Sequence, residues 1–249
     1  FSFRYLATGE SFRSLSFQFR ICHSWISVII KQVADSITKT MFKLIMPSPT
    51  EEQLPIIANT YLSTWNFPNC VGSIDGKHIR IRAPKNSGST FFNYKEFYSI
   101  VMLAVVDAEC KFVAIVIVGD ETFALHENLM KPYPRKQTLS DPSKAVYNYR
   151  QSQARRTTEN AFGILCAYFR ISFQPIATVP ETTDQLITCA CILHSMLREA
   201  KLLAPTQVHF DDALPYRTKT LLELFVAALT AVIQMAAPLF YVSMVVNAY

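Results

Sequence analysis

Residues 98–120, YSIVMLAVVDAECKFVAIVIVGD, decide the fold. Tyr98–Val106 is apolar almost throughout and rich in β-branched side chains, at a length that suits a strand better than a helix. Such a run reads as a strand buried on both faces. Asp107–Cys110 reads as a turn, and Phe112–Val118 as a second buried strand that ends at Gly119-Asp120. Strands of this kind need helices packed over their sheet, which points to the α/β class.

Upstream, Val71–Arg82 has strand composition interrupted by Asp75-Gly76. Downstream, Asn148–Phe169 and Thr182–Leu197 carry helical periodicity. Thr50-Glu51-Glu52 opens a helix that should run to about Thr64. Nearer the start, Ser11 is placed to cap a helix over Phe12–Phe19, and Ser24 to cap one over Trp25–Ile37. The junction Arg20–Ser24 has the length of a helix-turn-helix turn. Trp25, Val28, Ile29 and Val33 form the apolar stripe expected to face inward, with Arg13, Arg20, Lys31, Lys39 and Lys43 on the remainder. The expected division is a helical region over 1–64, a catalytic-sized region over 65–200, and a linker with an apolar tail over 201–249.

Half of the 249 residues are apolar and 17% are charged, which excludes intrinsic disorder and fibrous repeats. Residues 1–220 hold the whole basic excess, a modest one that suits an anionic partner without requiring it. The chain opens on Phe1, as expected of a sequence lacking its natural start. The six cysteines include no Cys-x-x-Cys pair, and no secretory leader is visible, which reads as reduced thiols in an intracellular protein. Cys189, Cys191 and His194 have metal-ligand spacing, but they sit in the apolar run Leu186–Leu197 and read as a packed helix. Leu224–Val246 carries no charge and is long enough to span a bilayer, with no Lys/Arg cluster to orient it. A buried helix or a non-native tail is the preferred reading.

Three acids occupy chemically suggestive places: Asp75 within a strand, Asp120 at a strand exit, and Glu159 on a helix before apolar Ala161, Phe162 and Ile164. Three convergent carboxylates can hold two hard divalent ions for phosphoryl transfer. The plainer reading is a turn acid, a strand-end acid and a surface glutamate. Arg155 and Arg156, four and three residues before Glu159, share its helical face, and Lys144 and Arg150 extend the basic track. These groups suit phosphate contact or, more simply, surface ion pairs. Lys77 and His78 follow Asp75 closely, and strand alternation sends them to opposite faces.

The blocks around these acids resemble a known family. Trp65-Asn-Phe-Pro-Asn-Cys-Val-Gly-Ser-Ile-Asp-Gly-Lys-His-Ile-Arg80, continued by Ala83–Ser89 and Phe92-Asn-Tyr-Lys95, is similar to the first catalytic block of Harbinger/PIF-type DDE transposases and their nuclease relatives. Val118–Phe123 with Leu129–Pro134 resembles the second block, and Tyr147–Gly163 the third. Leu6–Phe12 and the helix pair resemble the region ahead of the nuclease domain, so the resemblance covers roughly residues 4–200. It implies an RNase H-like mixed sheet with flanking helices, preceded by a helix-turn-helix-like region. It implies Asp75, Asp120 and Glu159 as catalytic and metal-binding triad, Mg²⁺ or Mn²⁺ as cofactor, and DNA as substrate. Lys77, Arg150, Arg155 and Arg156 are the phosphate-binding candidates. A Myb-like DNA-binding partner and a nuclear location, shared with the cytoplasm, are also implied.

The chain departs from the family pattern between the second strand and the second block. Several tens of residues are expected there, yet Asp75 and Asp120 are only 45 positions apart and the segment reads as deleted. One strand, Phe112–Val118, must then serve two positions. If the turn at Asp107–Cys110 makes a hairpin, that strand lies two spacings, about 10 Å, from the Asp75 strand. If it crosses beneath the first strand, Asp120 lands beside Asp75. Hairpins are the commoner outcome of short connections, so the expectation is a hairpin, an incomplete sheet and an impaired site. The alternative function is a non-catalytic DNA- or protein-binding remnant.

Overall fold

The two apolar strands are joined as a hairpin. The computed structural model describes residues 1–118, 130 and 132–203. In it β1 (Ser73–Arg80), β2 (Ser99–Val106) and β3 (Phe112–Val118) form one antiparallel sheet in that order. Asp107 closes the hairpin: its carboxylate accepts from the backbone N–H of Glu109 and of Lys111 at 2.9 and 2.8 Å. Burial pushes that carboxyl above its ordinary range, with the Lys111 backbone bond and the Lys111 charge opposing. Cys110 adopts a left-handed backbone, φ 64°. The expected break in the first strand does not occur; Asp75 and Gly76 pair continuously with Ala104 and Leu103.

Seven α-helices accompany the sheet among the described residues: α1 (Ser2–Thr8), α2 (Phe12–Phe19), α3 (His23–Ile45), α4 (Leu54–Trp65), α5 (Arg135–Ser140), α6 (Pro142–Tyr168) and α7 (Pro180–Leu203). The result is a mixed α/β architecture, an RNase H-like fold in partial form. The chain divides into two compact units, Phe1–Ser195 and Met196–Tyr249. In the first unit α6 and α7 lie on one face of the sheet. Thr158 of α6 meets Ser73 of β1, and Cys191 of α7 sets its Sγ 3.6 Å from the Met102 sulfur of β2. His194 is fully buried, with Nε2 2.8 Å from the Cys110 carbonyl and its ring 4.9 Å from that of Phe112. Burial raises the thiols of Cys189, to about 12, and of Cys191. These are the properties of a packed helix.

The opposite face of the sheet carries Gly76, Leu103, Val105, Ala114 and Val116. Val116 is 56% exposed and Ala114 is exposed. The reading of β3 as a strand buried on both faces is therefore corrected. Its alternate residues Ala114 and Val116 face outward because they point to the side of the sheet opposite α6 and α7.

Ahead of the sheet, Ser11 caps α2 as expected, its Oγ accepting from Ser14 N at 3.2 Å. Arg20 ends α2 in a left-handed conformation, and α3 begins at His23 rather than Trp25. The inward stripe of α3 is Ile26, Ile30, Ala34 and Met41, not the one starting at Trp25, which is 64% exposed, and Val28, also exposed. Both sets repeat at helical spacing; Ile29 and Val33 of the expected stripe are half-buried, and Val33 shares with Ile30 and Ala34 a small space lined by Leu6 of α1 and Leu186 of α7. Tyr61 of α4 is fully buried with Phe67, Ala108 and Ala154, and its hydroxyl donates to the Val106 carbonyl at 2.6 Å. That bond ties α4 to the end of β2. No helix among the described residues is long and apolar enough to cross a membrane; Leu224–Val246 lies outside them.

Candidate nuclease site

β1 and α6 position the two acids that the structure describes. Ser73, Asp75 and Lys77 alternate onto the face of β1 that α6 covers. Thr158 donates to Ser73 Oγ at 2.7 Å, and Ser73 Oγ donates in turn to the Arg155 carbonyl at 3.3 Å. Further along the same seam, Lys77 Nζ lies 5.8 Å from the centre of the Phe162 ring. Asp75 is between Ser73 and Lys77 on the strand, and Glu159 is between Thr158 and Phe162 on the helix. Two contacts thus hold α6 against β1 on either side of the acids, with Asp75 on the covered face of the strand and Glu159 exposed at the flank of the helix.

Asp75 is half-buried, and its Oδ1 accepts from its neighbour Gly76 N at 2.9 Å. Glu159 pairs with Arg155, Nη2 to Oε1 at 3.3 Å, with both side chains more than half exposed. The surface ion pair weighed from sequence is therefore present at Arg155. Arg156 is exposed one position on. Arg150 and Arg155 line a cleft of about 740 Å³ between α6 and the approach to β1, beside Tyr147, Gln151, Ala154 and residues 67–74. Gln151 donates to the Met130 carbonyl at 3.1 Å across it. Sequence reasoning missed this cleft and the Ser73–Thr158 bond; the polar pair Thr157-Thr158 within an otherwise inward-facing helical stretch was the available signal. Lys144 is held by Asp141 at 3.9 Å and lies over Tyr133, 5.3 Å from the ring centre.

Asp120 lies outside the described residues, as does His126. The strand that leads to Asp120 is placed: Val118 pairs with Val101, which pairs with His78. The end of β3 is therefore two strands from β1, about 10 Å across the sheet, and three residues beyond the level of Asp75, about another 10 Å along it. The hairpin expected from the short turn is the arrangement found.

No group of three or more His, Cys, Asp or Glu side chains able to hold a metal ion occurs among the described residues.

A family model described as DDE superfamily endonuclease matches the chain in two pieces, residues 74–117 and 113–195. The pieces share residues 113–117, so one strand is claimed by both, the pattern expected where the segment between them is missing. Relatives include the protein named putative nuclease HARBI1 from Bos taurus, 22% identical over 234 residues, covering 78% of this chain and 66% of the relative. The Homo sapiens protein of that name gives the same identity and coverage. Protein ALP1-like from Arabidopsis thaliana is 23% identical over 243 residues, covering 78% of this chain and 58% of its own. The chain thus spans less than two thirds of these relatives. Since 78% of 249 residues is about 194, some 40 of the 234 aligned positions fall opposite no residue of this chain. No solved structure matches.

Proposed function

Because this chain belongs to the DDE superfamily endonucleases, we propose that it is a transposase-derived protein of nuclease descent that retains DNA binding and has lost most of its strand cleavage. DNA enters this reading through the family and through the nuclease names of the relatives. The observation that carries the loss of cleavage is the position of β3 on the far side of β2 from β1. In that position the strand leading to Asp120 runs two strands away from Asp75, whereas ions about 4 Å apart require their carboxylates to converge.

In a complete site of this family Asp75, Asp120 and Glu159 would be the ligands. The chemistry that Mg²⁺ or Mn²⁺ supplies there is activation of water and neutralisation of charge at the phosphodiester. What this chain's own residues do is more limited. Arg156 and Arg150 offer positive charge along α6 to a phosphate backbone, and Lys77 lies on the same seam as Asp75. Arg155 holds Glu159 until a phosphate competes for its guanidinium. A nuclear location, shared with the cytoplasm, and a Myb-like protein partner belong to this proposal.

A supercoiled-plasmid nicking assay with Mg²⁺ or Mn²⁺ tests the reading, run beside Asp75→Asn, Asp120→Asn and Glu159→Gln. We expect no nicking above background for wild type, with duplex binding retained by all four proteins. Nicking that wild type performs and each variant loses overturns the loss of cleavage and restores a working endonuclease. What favours that second reading is the match to the endonuclease family model and to relatives named as nucleases.

A further inference from the structure

The connection between β1 and β2 has features that neither the acidic triad nor the α6 arginines use. Residues 80–98 contain Arg80, Arg82, Lys85 and Lys95 against Glu96, a net charge of +3. They also contain five aromatic residues, Phe91, Phe92, Tyr94, Phe97 and Tyr98. Arg80, Arg82, Lys85 and Lys95 are all exposed. Tyr94 is 72% and Phe92 48% exposed.

The rings are held in place. Asn93 Oδ1 accepts from Lys95 N at 2.8 Å, and Asn93 Nδ2 donates to Ser99 Oγ at 2.7 Å. Asn93 N and Ser99 N close the loop on the Phe97 and Phe91 carbonyls at 3.0 and 2.8 Å. Phe92 stacks edge-on against Tyr98 at 5.2 Å, and Tyr94 against His78 at 5.8 Å. The Arg80 guanidinium lies over Phe97, 4.4 Å from its centre, and Lys95 Nζ is 5.3 Å from the centre of Tyr94. The loop therefore presents rigid aromatic faces set among cations whose side chains are already oriented.

That combination is the one by which proteins hold unpaired nucleic acid: cations follow the backbone and exposed rings stack on bases. A duplex offers its phosphates but keeps its bases stacked on one another, so the rings would gain nothing from it. An acidic peptide would satisfy the cations and leave the rings without a partner. We propose that the β1–β2 connection is a platform for a single-stranded DNA segment, with Tyr94 and Phe92 stacking on bases and Arg80 and Lys95 contacting the adjoining phosphates. Arg80 stands five residues along β1 from Asp75, about 16 Å, and alternation puts it on the opposite face of the sheet, so the platform is separate from the β1–α6 seam. The inference rests on DNA being this chain's ligand.

Fluorescence anisotropy of the full chain with a labelled 20-nucleotide oligothymidylate, in EDTA, tests it. The comparison strand has the same length and charge and is wholly abasic. We expect the abasic strand to bind about tenfold more weakly than oligothymidylate. Tyr94→Ala should weaken oligothymidylate about fivefold or more and leave the abasic strand nearly unchanged, since each stacked base contributes a term the abasic strand lacks. The pair Arg80→Ala and Lys95→Ala should weaken both strands and flatten the salt dependence. Equal affinity for the two strands, or a Tyr94→Ala protein that binds like wild type, overturns the platform. Equal competition by poly-glutamate also overturns it, in favour of an acidic protein partner. If duplex DNA still binds in an Arg156-dependent manner, the platform alone has failed; if no DNA binds, the proposed function has failed with it.

Discussion

The hydroxyl of Thr158 donates to Ser73 Oγ at 2.7 Å, and this one buried bond fixes where α6 sits along β1. Both residues are nearly or fully buried, 0% and 6% exposed. Thr158 directly precedes Glu159, and Ser73 stands two residues before Asp75, so the bond lies beside both acids along the chain.

Thr158→Val keeps the shape and removes the donor. It should cost about 1–2 kcal/mol in urea unfolding, because Ser73 Oγ loses its buried donor. Adding Ser73→Ala should recover part of that cost, since the bare acceptor disappears with its partner. A double variant that is destabilised by the full sum of the two singles would show that the groups do not interact.

Arg155→Ala removes one half of an exposed ion pair, worth only about 0.5 kcal/mol or less. Stability should barely change. Duplex affinity should fall, and the slope of log affinity against log salt should shrink by about one, the loss of a single phosphate contact. Titration of DNA binding across salt concentrations checks both.

Asp107 gives a pH signature. Its folded-state pKa is raised by burial above the ordinary 3.8. The folded state therefore holds a proton that the unfolded chain releases. The resulting stability is fully present below the unfolded pKa and declines as pH rises through the folded one. Asp107→Asn keeps the acceptor oxygen for the Glu109 and Lys111 amides and cannot ionise. Urea midpoints for the variant should lack this decline, while wild type shows it from about pH 4 upward.

Val116 stands exposed on an edge strand, FVAIVIV, that carries no charge. Such a strand is a template for pairing between chains. Val116→Lys should raise the temperature at which light scattering begins and leave the urea midpoint within about 0.5 kcal/mol of wild type. Earlier aggregation in the variant would contradict the exposed placement.

The sequence alone determined the three strands and five of the seven helices, missing α1 and α5, because alternation, apolar runs and caps such as Ser11 are local properties of neighbouring residues. It also determined the family, since three ordered motif blocks are read without coordinates. Other features depended on packing between distant segments. Trp25 and Ile26 head apolar stripes of the same period on α3, and only tertiary packing buried Ile26 and left Trp25 exposed. The residues of β3 are apolar at every position, so composition could not say that Val116 would face outward; its register on β2, away from the face that α6 and α7 cover, did. Asp107–Cys110 permits a hairpin or a crossover, and the tertiary structure selected the hairpin that sends β3 away from β1. The carboxylates follow the same division: their identity is written in the motifs, whereas their convergence depends on strand order, a property of the whole sheet rather than of any stretch of chain.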